Sequence, residues 1–248
     1  MSQRRENRVA VVTGAAGGLG MAFAVRLARE GCDIAIADVA PAGHVVPDIE
    51  ALGRRAYSEI CDLAEPGDTS RFAAGVLERF GRCDILVNNA AYIPIGAFSE
   101  LTFEQFRRVQ AVNVDAPFLL CKSFVPHMIQ RQYGRIVNLA SSSVWGPPPG
   151  FTAYITSKMA SIGLTRALAS ELGDCGITVN AISPGLTKHA GSTQALPPQA
   201  FESVRQRQFI KRTELPEDLC GTLAFLISDG AAFITGQVIN VDGGGFGF

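Results

Sequence analysis

The sequence predicts a single α/β domain, a doubly wound parallel sheet of about seven strands with helices on both faces. Three observations carry this prediction: short β-branched runs recur along the 248 residues, they are nearly continuous in apolar residues, and helical segments separate them. The runs are VAVVTG, CDIAIAD, AYSEICD (the weakest), CDILVNNA, GRIVNLAS, GITVNAIS and QVINVDGG. An alternating strand has one wet face, whereas a continuous apolar run is covered on both, as in a parallel sheet between two helical layers.

The helical segments have recognisable stops and starts. MAFAVRLARE spaces its apolar residues by three and four and is stopped by Gly31, and TSRFAAGVLERF is stopped by Gly81 in the same way. A long helix opens with the capping-box pattern Thr102-Phe103-Glu104-Gln105 and runs through Asn113 towards Pro117. Proline at that spacing lacks the N–H that would bond the carbonyl of Asn113, so the sequence predicts a kink that frees this oxygen or merely wraps the helix around the core. PPPG at 147–150 and the stretch from Leu186 to Pro198 read as ordered or closing loops, with a substrate loop around 186–210.

Composition narrows the function classes. With 47% hydrophobic and 18% charged residues the chain can bury one sizeable core, so residues 1–248 read as one domain. A formal net charge of -1 and no recurring Lys/Arg cluster argue against nucleic acid or an anionic membrane as partner. The start, MSQRRENRVA, has no signal-like apolar stretch and no later run is long enough to span a bilayer, so a cytoplasmic location is expected. Cys32, Cys61, Cys83, Cys121, Cys175 and Cys220 never form a CxxC pair and are expected as buried free thiols. His44, His127 and His189 lack ligand spacing, so no metal site is expected.

The first strand runs into Thr13-Gly14-Ala15-Ala16-Gly17-Gly18-Leu19-Gly20 and then a helix, the context of a phosphate-binding loop in a Rossmann-type sheet. Gly14 allows the tight turn, Gly18 lets the backbone reach a diphosphate, and Gly20 lets the helix pack closely, while Leu19 stands in the turn whose free N–H groups face the anion. Asp38 ends the second strand, where a carboxylate accepts from ribose hydroxyls and repels a 2′-phosphate; the cofactor expected is therefore NAD. A helix cap before Pro41 is the competing reading, disfavoured because Ala15, Ala16, Val39 and Ala40 offer no cation to a phosphate.

TGAAGGLG, NNAA at 88–91, the serine cluster after IVNLA, YITSK and ITVNAISPG together resemble the classical short-chain dehydrogenase/reductases over essentially the whole chain. FGRCDILVNNA and ELTFEQF also look like stretches of bacterial 1-phenylethanol dehydrogenase-like members. The resemblance implies an oxidoreductase that interconverts a secondary alcohol and its ketone by hydride transfer. Tyr154 and Lys158 stand at i and i+4 and share a helix face. A free phenol titrates near ~10, and bringing it to neutrality takes roughly 4 kcal/mol of anion stabilisation, which Lys158 and a positive nicotinamide ring can supply.

In that family the tyrosine exchanges a proton with the substrate oxygen and the lysine also binds the nicotinamide ribose. Ser141, three places after Asn138 and thirteen before Tyr154, matches the family's anchor for the reacting oxygen. Asn113 matches an asparagine whose carbonyl holds a water. Asp62 resembles the aspartate near the adenine, and Asn88 and Ala90 the stretch that lines the adenosine and stabilises the central sheet. Pro184 and Gly185 begin the loop that contacts the carboxamide through the backbone at Thr187. His189 departs from the usual threonine, and faces substrate or solvent. The family also implies a homotetramer.

For the substrate, Trp145 and Phe151 with the nearby prolines, together with Tyr92, Ile93 and Ile95, predict apolar walls, and Ser143 lines the same pocket or satisfies the loop. A compact aryl or alicyclic small molecule is therefore expected, with Trp145 packed inside the subunit or at a subunit contact as the competing reading. The alternative functions are a sugar or polyol dehydrogenase, a 3-oxoacyl carrier-protein reductase, and a non-enzymatic nucleotide sensor.

Overall fold

The computed structural model describes residues 8–246; the polar start MSQRREN and the last two residues lie outside the described residues. All seven apolar runs form strands: β1 (Val9–Thr13), β2 (Asp33–Asp38), β3 (Ala56–Ile60), β4 (Ile85–Asn88), β5 (Gly134–Leu139), β6 (Ile177–Pro184) and β7 (Val238–Val241). They make one parallel sheet in the order β3-β2-β1-β4-β5-β6-β7. Strand order reverses between β1 and β4, which places a crevice for ligands beyond the carboxyl ends of those two strands.

The helices are α1 (Gly18–Arg29), α2 (Val46–Glu50), α3 (Pro66–Phe80), α4 (Phe103–Gln110), α5 (Ala116–Arg131), α6 (Thr152–Leu172), α7 (Ala190–Ala195), α8 (Pro198–Arg207) and α9 (Pro216–Leu226). Two buried clusters explain the continuous apolar runs. Ala10, Val12, Ile34 and Ile36 face Phe23 and Leu27 of α1 and Leu219 and Leu223 of α9. Their neighbours Val9, Val11 and Ala35 face Phe72 and Val76 of α3 and Leu120 and Phe124 of α5. Successive residues of one strand thus enter opposite cores, each removing apolar area from water at about 25 cal/mol per Å². Among the described residues no helix is long and apolar enough to cross a membrane. Of the six thiols, which are all free, five are buried and Cys175 is half-buried.

Two local expectations are corrected. The capping box at Thr102 and Gln105 forms, but the helix beyond it does not simply kink at Pro117. It is interrupted by a π-helical turn, Ala111–Asp115, before α5 begins. One extra residue in that turn places Pro117 in the first turn of a new helix, where a missing N–H leaves no hydrogen bond broken. The segment 186–210, expected as a loop, is mostly helical: α7 and α8 occupy it. Proline at the first position of α8 followed by Gln, Ala, Glu, Val and Arg satisfies helix preferences that its proline content masks.

Candidate active site

The glycine-rich loop joins β1 to α1 at the crevice. Gly14 and Gly18 adopt φ of 66° and 56°, conformations that side chains resist. A Cβ on Gly14 would stand 2.8 Å from the α-carbon of Ala90, and one on Gly20 would collide with the carbonyl oxygen of Gly14. Thr13 Oγ1 accepts from the amides of Asn89 and Ala90, each at 3.0 Å. Asn89 Nδ2 returns bonds to the carbonyls of Thr13 (2.8 Å) and Gly14 (3.0 Å). Asn89 therefore braces the loop, a residue of NNAA that the sequence did not single out. Leu19 packs against the α1 core. Asn88 pairs with Asn138 at 2.8 Å, and Asn138 with Thr165 of α6 at 2.9 Å, tying β4, β5 and α6 together.

Asp38 accepts from the amide of Ala16 at 2.8 Å and from that of Ala40 at 3.0 Å. After Asp38 the next helix begins only at Val46, eight residues on, so the helix-cap reading fails. Among the described residues no Lys or Arg is ion-paired with Asp38. Asp62 is held by the amide of Ala64 at 2.9 Å and by Arg108 at 3.0 Å. The Arg108 guanidinium also lies 5.8 Å from the centroid of the Tyr92 ring, a neighbour that nothing in the motif indicated.

The first two turns of α6 place Tyr154 and Lys158 on the face towards β5. Lys158, 3% exposed, donates from Nζ to the carbonyl of Leu139 at 2.6 Å, and its ammonium stands 5.6 Å from the Tyr154 ring centroid. Burial lowers Lys158 from its ordinary 10.5 to about 8. Burial also raises the Tyr154 phenol, against a hydrogen bond with Ser141 that lowers it. Ser141 lies 2.7 Å from Ser143 through their hydroxyl oxygens, so Ser143 orients the anchor. Ser141, Tyr154 and Lys158 thus converge at the end of β5.

Asn113, 2% exposed, acts through its side chain. Its amide donates to Ser157 Oγ (2.9 Å) and to the carbonyl of Tyr92 (3.2 Å), and its Oδ1 accepts from the amide of Tyr92 at 2.8 Å. Ser157 donates in turn to the carbonyl of Tyr154 at 2.7 Å. The π-helical turn is thereby joined to α6 beside Lys158. Ser157 could have been suspected only from its place inside YITSK.

Pro184 ends β6, and the amide of Gly185 donates to the carbonyl of Val241 at 3.1 Å. The Thr187 hydroxyl turns away to Glu214 at 2.5 Å, an acid that sequence reading did not single out. His189 stands against the glycine-rich loop, its Nδ1 3.0 Å from where a Cβ on Gly18 would be. Burial lowers its pKa. Phe151 meets the Tyr154 ring edge-on at 6.1 Å between centroids, while Tyr92 and Ile93 are partly exposed. Trp145, 38% exposed, points elsewhere. Its indole donates to Asn240 at 3.1 Å, and with Val238, Asn240 and Phe246 it lines an open recess of about 440 Å³ that Ser141, Tyr154 and Lys158 do not line.

A family model described as enoyl-(acyl carrier protein) reductase matches residues 14–245. A subunit of (2S)-[(R)-hydroxy(phenyl)methyl]succinyl-CoA dehydrogenase from Thauera aromatica is 36% identical over 241 residues, 96% of each chain. The chain belongs to the short-chain dehydrogenase/reductase family. A putative gluconate dehydrogenase of Agrobacterium tumefaciens superposes on this short-chain dehydrogenase/reductase with a TM-score of 0.92, 32% identity and 98% and 97% coverage of the two chains. A putative NAD(P)-dependent gluconate 5-dehydrogenase of Beutenbergia cavernae, solved with NADP, gives 0.91 at 36% identity, covering 97% of each chain.

This short-chain dehydrogenase/reductase is an oxidoreductase. Its residues fit a nicotinamide dinucleotide: Gly14 and Gly20 leave no room for a Cβ, α1 presents its N-terminus, and Asp38 stands at the end of β2. Burial dominates both Tyr154 and Lys158 and favours their neutral forms. The lowering of the phenol is expected from Lys158 together with a positive nicotinamide ring, and among this chain's own groups it is the Ser141 hydrogen bond that lowers it.

Proposed function

We propose that the protein interconverts a compact, largely apolar secondary alcohol and its ketone, using NAD in preference to NADP. The observation that carries this reading is the convergence of Ser141, Tyr154 and Lys158 at the end of β5. In this reading the Ser141 hydroxyl donates to the reacting oxygen and Tyr154 exchanges a proton with it. Lys158 holds the nicotinamide ribose and, when charged, favours the tyrosinate. Asn113 and Ser157 keep that turn of α6 in place, so the two groups remain aligned. When bound, the dinucleotide supplies the hydride acceptor or donor, and its oxidised ring supplies a positive charge.

Gly14, Gly18, Leu19, Gly20, Asp38, Asp62, Asn88 and Ala90 would hold the adenosine half, and Pro184, Gly185 and Thr187 the nicotinamide half. The hydrogen-bonded position of Asp38 supports NAD, because a 2′-phosphate there would meet an uncompensated carboxylate. Phe151 beside Tyr154, with Tyr92 and Ile93, supports an apolar substrate. The Thauera relative's name contains a hydroxy(phenyl)methyl group, a secondary alcohol next to an aryl ring, which points the same way. Exposed apolar side chains on α5 (Phe118), α6 (Met159) and α9 (Phe225) support assembly into a homotetramer.

Steady-state kcat/KM for NAD and NADP across aryl, alicyclic, sugar and acyl-thioester alcohols tests the reading. It is sustained by the highest efficiency with NAD and an aryl or alicyclic alcohol. A far better polyol or acyl substrate overturns the substrate class, and dinucleotide binding with no turnover on any of them favours a sensor.

A further inference from the structure

The segment after β6 is held at its root by one buried carboxyl. Glu214, in the lead-in to α9, forms a parallel bridge with Thr187. Its main-chain carbonyl accepts from the amide of Lys188 at 2.8 Å. Its side chain accepts from the Thr187 hydroxyl at 2.5 Å and from the amide of Gly185 at 3.2 Å. Glu214 and Thr187 are each 5% exposed. Two residues on, the His189 ring lies against Gly18. The segment is therefore clasped to the α9 lead-in at its root and laid on the glycine-rich loop further along. The His189 ring thus covers one side of Gly18, the glycine at which a diphosphate would approach the loop.

The surroundings of this carboxyl do little to keep it charged. Among the described residues no Lys or Arg is ion-paired with Glu214. Asp242, in the turn after β7, and Asp218, in the first turn of α9, present like charge to it. Arg212 feels its charge but is committed to Asp218 through two bonds of 2.5 and 2.6 Å. Lys188 is exposed and His189 half-buried. Burial raises Glu214 from its ordinary 4.5 to about 7, against the lowering effect of the Thr187 hydroxyl and the Gly185 amide.

We propose that Glu214 is a positioning residue, a protonation-controlled latch that keeps residues 185–195 closed on the glycine-rich loop when protonated and lets them lift when ionised. Lifting exposes the carboxyl to water, where it ionises near 4.5, whereas the closed form holds its proton up to about 7. The proton binds more tightly to the closed form. Closure is therefore most favoured below 4.5 and weakens as pH rises, the opening constant growing up to about tenfold per pH unit until it levels off above about 7. The consequence for cofactor exchange rests on the dinucleotide site proposed above; the latch itself does not.

Hydrogen exchange of the amides in 186–195, measured on the cofactor-free protein from pH 5 to 8.5 and corrected for intrinsic rates, tests the latch. The opening constant should rise at least about tenfold between pH 5 and 7.5 and then level off. Glu214→Gln, neutral at every pH, should stay closed with a flat profile. Thr187→Val, which keeps the carboxyl but removes one partner, should open more readily at pH 5 and retain the slope. A flat wild-type profile, or a Glu214→Gln profile as steep as the wild type, overturns the proposal. NADH dissociation, followed by fluorescence in a chase with excess NAD, should accelerate over the same pH range in the wild type and in Thr187→Val but not in Glu214→Gln. If the exchange profile holds while NADH binds to no form, the latch stands and the cofactor reading fails.

Discussion

Asp38 Oδ2 and the amide of Ala16 are 2.8 Å apart, which joins the last residue of β2 to the middle of the glycine-rich loop. The carboxylate that would select the ribose therefore also shapes the loop that would hold the diphosphate. Asp38→Ala should lower kcat/KM for NAD by about tenfold or more, since it removes both a ribose acceptor and the bond to Ala16. The NADP-to-NAD efficiency ratio should rise at the same time. Comparing both cofactors in both proteins checks this, and an unchanged ratio would show that Asp38 serves the loop alone.

Tyr154→Phe should keep cofactor binding and lose turnover by about two orders of magnitude or more, the size of a general acid–base contribution. Calorimetric titration with NADH and steady-state kcat together separate the two effects. Near-normal kcat would remove Tyr154 from the proposed mechanism.

Lys158 carries a pH signature in the cofactor-free protein. Its pKa falls from 10.5 in the open chain to about 8 in the fold, so between these values the unfolded chain binds more protons and stability rises with pH. Below about pH 8 the buried ammonium costs on the order of 3 kcal/mol at most. Urea denaturation should show wild type gaining stability relative to Lys158→Met between pH 8 and 10. A constant difference across that range would show that Lys158 titrates as an exposed lysine does.

Asn113→Ala should destabilise the fold by about 2–3 kcal/mol, because Tyr92 and Ser157 lose buried partners together. The same change should lower kcat, since Ser157 holds the turn that carries Tyr154. Denaturation midpoints and kcat measured on one preparation check both. Full activity would confine Asn113 to a structural role.

Trp145→Ala should leave kcat/KM for aryl and alicyclic alcohols within a factor of about two to three, a surface-sized effect, because its indole is tied to Asn240 and faces the recess by β7. Of the two readings the sequence leaves open for Trp145, this prediction takes the one away from the substrate. A loss of tenfold or more on aryl substrates would return Trp145 to the substrate pocket.

Much of this protein can be read from its residues in order. Continuous apolar runs mark strands buried on both faces, a glycine-rich turn after the first strand marks the crevice, and Tyr154 and Lys158 share a helix face because they are four residues apart. Each of these follows from local backbone periodicity or from the sterics of single residues. Other features depended on contacts between segments far apart in the chain. Glu214 meets Thr187 across 27 positions, Asn113 meets Ser157 across 44, and Asn89 reaches Thr13 across 76. The helix through Asn113 was legible, but its π-helical turn was not, because the bonds from Asn113 to Tyr92 and Ser157 come from elsewhere in the chain. Trp145 carried the right chemistry for a pocket wall, and only the fold decided that it reaches over to Asn240. A polar side chain in sequence shows what it can donate or accept, whereas its partner, its burial and hence its pKa are set only when the chain has closed around it.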